Sequence, residues 1–252
     1  MIGIAAAGDL HFGRDSAGTL RAHLEGIGEK ADVLLLAGDL TKRGEPEEAR
    51  VLAREIEGVE VPVVAVLGNH DHHSDRQADV AGILRDVGVT VLEGESAVLD
   101  VGGERLGVVG AKGFGGGFAG ACATDFGERE MKAFVRTTRD VAQRLEDGLR
   151  RLEADHRVVL LHYAPIKETL HGEPPEIYAF LGSYLLAESV DRVGADLVLH
   201  GHAHHGSEKG VTPGGIHVRN VAQPVIRTAY NVYCLGDGDR SPGRQLSDAA
   251  RV

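Results

Sequence analysis

Apolar positions along this chain fall into two patterns. Residues 2–7, 33–37, 63–67, 158–161 and 197–199 form short uninterrupted runs, several of them rich in Val and Leu, which is the form of strands buried on both faces. Between the early runs the spacing turns helical. Residues 16–30 begin at a capping Ser, residues 46–57 carry Pro in the first turn and Gly58 beyond the end, and residues 75–87 make a third helix. Strand, helix, strand, helix, strand in succession indicates an α/β fold. Shorter strands follow at 89–92, 97–101 and 106–109, separated by turns such as Gly102-Gly103. Residues 113–127 are Gly-rich and aperiodic, as in a loop. Residues 128–154 and 183–193 read as amphipathic helices, and 216–221 and 231–235 as closing strands. The expected organisation is one domain over residues 1–236 with a flexible polar tail over 237–252.

Composition narrows the function classes. With 252 residues the chain can bury a full core. Its 27 basic and 38 acidic residues leave a net charge of −11 with His neutral, a field that repels nucleic acid and acidic membranes. The absence of Trp and the 4% aromatic content also argue against a base-stacking binder. Cys122 and Cys234 stand far apart and form neither a metal spacing nor a disulfide framework. No basic leader precedes the first strand, and no window approaches the ~20 apolar residues of a spanning helix. A cytoplasmic chain without membrane partners is expected, with oligomeric state left open.

Candidate chemistry lies where the five buried runs end. After them come Gly8-Asp9-Leu10-His11, Gly38-Asp39-Leu40-Thr41, Gly68-Asn69-His70-Asp71, His162-Tyr163 and Gly201-His202-Ala203-His204. The carboxyl ends of strands in open α/β sheets line one crevice, so these loops should converge. The ordered set resembles the calcineurin-like metallophosphoesterases, whose motifs are D-x-H, G-D, G-N-H-[DE], H and G-H-x-H, and the resemblance spans residues 8–204. It implies an α/β sandwich of two mixed β-sheets flanked by helices, with a dinuclear metal site at the C-terminal ends of the strands.

The same resemblance assigns residues. Asp9, His11 and His204 would hold one metal, Asn69, His162 and His202 the other, and Asp39 would bridge them. A bridging carboxylate with imidazole and oxygen donors suits a pair of divalent or mixed-valence ions, Mn, Fe or Zn. On an extended backbone, residues i and i+2 point the same way, so Asp9 with His11, and His202 with His204, should each aim into one crevice. A hydroxide shared by the ions would attack phosphorus, and His70 resembles the family's catalytic His, placed to protonate the leaving oxygen or stabilise the phosphoryl group. Asp71 either orients an imidazole or closes a turn. Arg14, Lys42 and Arg43 are candidate substrate contacts. Residues 112–127, with Phe114 and Phe118, and residues 167–178, with Lys167, His171 and Tyr178, are expected to shape the pocket.

The expected function is therefore a metal-dependent phosphohydrolase acting on a small phosphodiester or phosphomonoester. Its alternatives are a nuclease of the same chemistry and a non-catalytic binding module. Residues 38–44, GDLTKRG, look like the GDLT-x-x-G of the class III cyclic-nucleotide phosphodiesterases, but His162-Tyr163-Ala164-Pro165 departs from the HHPP common there. The branch stays open.

Overall fold

Side chains along the buried strands divide between two apolar environments. In the computed structural model, which describes residues 1–236, the strands are β1 (Ile2–Ala7), β2 (Val33–Ala37), β3 (Val63–Val66), β4 (Thr90–Leu92), β5 (Ser96–Val101), β6 (Glu104–Ala111), β7 (Gly117–Phe118), β8 (Ala121–Cys122), β9 (His156–Leu161), β10 (Leu197–His200), β11 (Lys209–Val211), β12 (His217–Asn220) and β13 (Asn231–Leu235). The helices are α1 (Arg21–Leu24), α2 (Pro46–Ile56), α3 (Gln77–Asp86), α4 (Arg129–Arg151), α5 (Tyr178–Leu181), α6 (Tyr184–Val193) and α7 (Gln223–Ile226). The tail expected over 237–252 lies outside the described residues.

One sheet has the order β13-β1-β2-β3-β4, parallel except where β13 joins β1. The other has the order β11-β12-β10-β9-β6-β5, with its four central strands parallel and each outer strand antiparallel. Both sheets are mixed, as the family resemblance implies. In β1 and β2, Ile2, Ile4, Val33 and Leu35 face the second sheet and meet Leu106, Val108, Val158 and Leu160. The intervening Ala5, Ala7, Leu34 and Leu36 face Leu52, Ile56, Val80 and Leu84 of α2 and α3. On the far side, Val109, Val159 and Leu161 pack under Leu145 and Leu149 of α4 and Leu186 and Val190 of α6. This helix–sheet–sheet–helix layering covers both faces of the parallel strands, so their sequences lack polar alternation.

Local differences from the sequence pattern have identifiable causes. The helix expected over 16–30 is cut to α1 and one 3₁₀ turn at Ile27–Glu29, because Gly26 between them takes φ 67°. Leu20, Leu24 and Ile27 still reach the core at helix-like spacing, and this produced the longer reading. Residues 113–127 contain the small β7–β8 hairpin. The short elements β11, α5 and α7 give too few turns for periodicity to register. Among the described residues, no helix is long and apolar enough to cross a membrane.

The inter-sheet core gives a stability test. Leu35 is fully buried there, so Leu35→Ala should cost about 2–5 kcal/mol in urea unfolding, whereas Val98→Ala, at a position 48% exposed on β5, should stay within about 0.5 kcal/mol.

Candidate metal centre

The turns that leave the strand ends are strained. Asp9, His11, Asp39 and His202 have φ of 59°, 46°, 49° and 69°, a left-handed region that Asp and His tolerate better than most residues but that costs on the order of 1–3 kcal/mol each. The expectation that Asp9 with His11, and His202 with His204, are aligned by extended backbone is therefore corrected. The chain must turn sharply to leave these buried strands, and it does so at the motif residues themselves. His202 and His204 consequently enter different groups.

Two groups of ligand-type side chains form. Asp9, His11, Asp39 and His204 each offer a donor atom within 4.8 Å of the others, and Asp39, His162 and His202 make a second such group. Asp39 belongs to both. In the first, His204 Nε2 lies 2.8 Å from Asp9 Oδ1 and 3.5 Å from His11 Nε2, and His11 Nε2 lies 3.9 Å from Asp39 Oδ2. In the second, His162 Nε2 lies 3.3 Å from Asp39 Oδ1 and 2.9 Å from Asn69 Oδ1, which brings Asn69 to the same place.

Remote main-chain carbonyls fix the rings. His162 Nδ1 donates to Ala37 O at 2.9 Å and His202 Nε2 to Phe180 O at 3.3 Å, leaving Nε2 of His162 and Nδ1 of His202 as the nitrogens free to accept. Burial holds His162 well below the usual imidazole pKa, His202 at about 3 and His11 at about 4. These rings are neutral at pH 7 and keep a lone pair. His162 Nε2 then faces two oxygen acceptors with no proton to share, an arrangement that a cation satisfies. Burial also raises Asp9 to about 6, against the bond from His204, while that bond raises His204 in turn. The donor set of oxygen and imidazole fits two metal ions of the kind the motifs imply.

Supporting contacts pack tightly against these residues. A Cβ on Gly38 would lie 2.7 Å from the His162 ring, and one on Gly68 or Gly201 would overlap the Asp39 or Asp9 carboxylate, which explains the Gly in three of the five motifs. Asp71, expected to orient an imidazole or close a turn, contacts main chain instead of a ring. It is fully buried and accepts from the amides of Leu40, Thr41 and Gly68 and from Thr41 Oγ1. Asp71 thus ties the loop after β2 to the loop after β3, and burial raises it to about 6.

The remaining candidates lie around this centre. His70 donates from Nδ1 to Lys42 O at 2.8 Å, which turns Nε2 toward Asp39 Oδ2, 3.9 Å away. Arg14, Lys42 and Arg43 line an adjoining open pocket of about 390 Å³ with Asp15, Glu45 and Glu48, and Arg14 is paired with Glu45 at 2.7 Å. Phe114 packs on Phe134 and Tyr163, Phe118 is buried, and Lys167 lies over Tyr178. His200 is also buried, bonded to Thr169 and Gly201. The ring-fixing carbonyls of Ala37 and Phe180 have no sequence signature, since a main-chain atom carries none.

A family model described as calcineurin-like phosphoesterase matches residues 2–206. Among solved structures, phosphopantetheinyl hydrolase from Mycobacterium tuberculosis aligns with TM-score 0.66 and 18% identity, covering 95% of this chain and 98% of its own. A protein of Thermus thermophilus, TT1561, aligns with TM-score 0.51 and 17% identity, covering 87% and 88%. A putative 5'-nucleotidase from Staphylococcus aureus aligns with TM-score 0.54 and 16% identity, covering 87% of this chain and 48% of its own. At these identities the likeness is one of fold. No curated protein sequence matches the chain.

Two substitutions separate the shared carboxylate from its support. Asp39→Asn keeps the volume but removes charge from both groups, and bound metal per chain, measured by elemental analysis after reloading, should fall from about two ions to below one. Asp71→Asn turns an amide donor toward the donors that the carboxylate accepts, and should cost about 1–3 kcal/mol in urea unfolding while the folded protein still binds metal.

Proposed function

Because this chain belongs to the calcineurin-like phosphoesterase family and is a metal-dependent phosphoesterase, we propose that it hydrolyses a small phosphate ester, diester or monoester, at the centre built on Asp39. The observation that carries this reading is the convergence of neutral imidazoles and buried carboxylates on two adjoining positions with Asp39 common to both. In this reading Asp9, His11 and His204 hold one ion, and Asn69, His162 and His202 hold the other. Manganese, iron and zinc all suit the oxygen and nitrogen donors. When bound, the ions supply Lewis-acid neutralisation of the phosphoryl oxygens and lower the pKa of a bound water.

The chain's own residues then divide the work. Asp39 holds the two ligand groups at a fixed separation, and the carbonyls of Ala37 and Phe180 keep the rings of His162 and His202 from rotating. His70 keeps its Nδ1 proton on Lys42 O, so Nε2 points at the site and, in the doubly protonated ring, carries the proton delivered to the leaving oxygen. The acidic surface, −11 overall, opposes a polymeric phosphodiester and favours a small one. A phosphopantetheinyl hydrolase has a similar fold, in line with a hydrolase reading.

The test is hydrolysis of bis-p-nitrophenyl phosphate and p-nitrophenyl phosphate by metal-stripped protein reloaded with Mn, Fe or Zn. Turnover that requires metal, with about two ions per chain, is expected, and the preferred ester distinguishes diesterase from monoesterase. His70→Ala should keep its metal and lose about 10²–10⁴-fold in rate; full turnover by that variant would remove the proton-donor role.

A further inference from the structure

The strand-end rule extends to one strand that delivers no ligand. β6 runs parallel to β9 with Ala111 opposite Leu161, so Lys112 emerges beside His162 at the mouth of the centre. Its carbonyl accepts the amides of His162 and Tyr163, each at 3.0 Å. Where neighbouring strands present acceptors, β6 presents a cation.

That cation is held but not neutralised. The side chain of Lys112 is half-buried, and its Nζ stands 5.1 Å from the ring centres of both Phe114 and Tyr163. Aromatic faces hold an ammonium without cancelling its charge. Nζ also reaches Gly113 O at 3.4 Å, and no ion pair to Lys112 forms among the described residues. Glu93, whose charge acts on Lys112, accepts the Lys112 amide at 3.2 Å and lies 3.9 Å from Arg144. The ring of Tyr163 lies 4.3 Å from that of His202 and 5.6 Å from that of His162. The contact of Lys112 with Tyr163 therefore puts the ammonium on the His162–His202 side of the centre. Arg14, by contrast, has a carboxylate partner in Glu45.

We propose that Lys112 is a phosphate-binding residue, whose ammonium, held over Phe114 and Tyr163, takes a non-bridging oxygen of the ester on the His162–His202 side. This rests on the phosphoesterase reading of the centre. A half-buried charge with aromatic walls is costly to leave without an anion, and an ordered lysine loses little further freedom when the anion arrives.

Lys112→Met keeps the apolar stem against both rings and removes the charge, and Lys112→Arg restores the charge. Full-length proteins loaded with the same metal are compared by calorimetric titration of inorganic phosphate and by p-nitrophenyl phosphate kinetics with phosphate as competitor. For Lys112→Met, phosphate binding should weaken about tenfold to hundredfold and kcat/KM should fall by a similar factor. Metal content and thermal midpoint should match the parent, and the Arg variant should recover part of both losses. Unchanged phosphate affinity in Lys112→Met overturns the proposal. So does a fall in its metal content, which would make Lys112 a support for His162. If the parent binds two ions and turns over no ester, the hydrolase reading fails, while a Lys112-dependent phosphate affinity still upholds the binding role.

Discussion

The carboxylate of Asp39 is 1% exposed between two sheets, and the surrounding structure depends on keeping it there. One oxygen accepts the His70 amide at 2.8 Å, and the imidazoles of His11, His70 and His162 all lie within 4 Å of the carboxylate. A buried anion of this kind is tolerated only with compensating donors or cations. The His70 amide supplies one such donor, and the neutral rings of His11 and His162 turn lone pairs to the same place, where a cation would supply the rest.

Much of this was legible in the sequence because one physical cause writes both fold and site. Strands covered on both faces appear as uninterrupted apolar runs, and the same strands end where ligands must stand, so the run from Ile2 to Ala7 announces Asp9 and His11. The glycines of the motifs were legible as punctuation, though their reason was not: Gly38, Gly68 and Gly201 make room for His162, Asp39 and Asp9. Asp71 shows the limit. Its position suggested a partner ring or a closed turn; it does accept the nearby Gly68 amide, but its other bonds, to two amides and a hydroxyl, come from a loop distant in sequence. Main-chain donors leave no trace in residue identity. The carbonyls of Ala37 and Phe180 that fix the ligand rings were invisible for the same reason, and Gly26 cut a helix that apolar spacing alone had extended.

The backbone carries a cost that the centre accounts for. Four of the motif residues sit at positive φ without being glycine, and such conformations persist only where surrounding contacts over-determine them. Here those contacts are visible. Asp71 joins two of the loops, the Asn220 amide donates to Ala203 O at 2.8 Å, and the Asp9 carboxylate accepts the His202 amide at 2.9 Å. The strained turns are held from several directions and present their side chains already in place.

The ligand-type groups also come from distant parts of the chain. Asp9 and His204 meet at 2.8 Å across 195 residues, and Ala37 meets His162 across 125, so no fragment that lacks either sheet contains a whole group. During synthesis the first three motifs emerge well before the last one exists. Neither group can therefore close before strand ends of both sheets have emerged and met, so a whole group reports that the two sheets have been brought together.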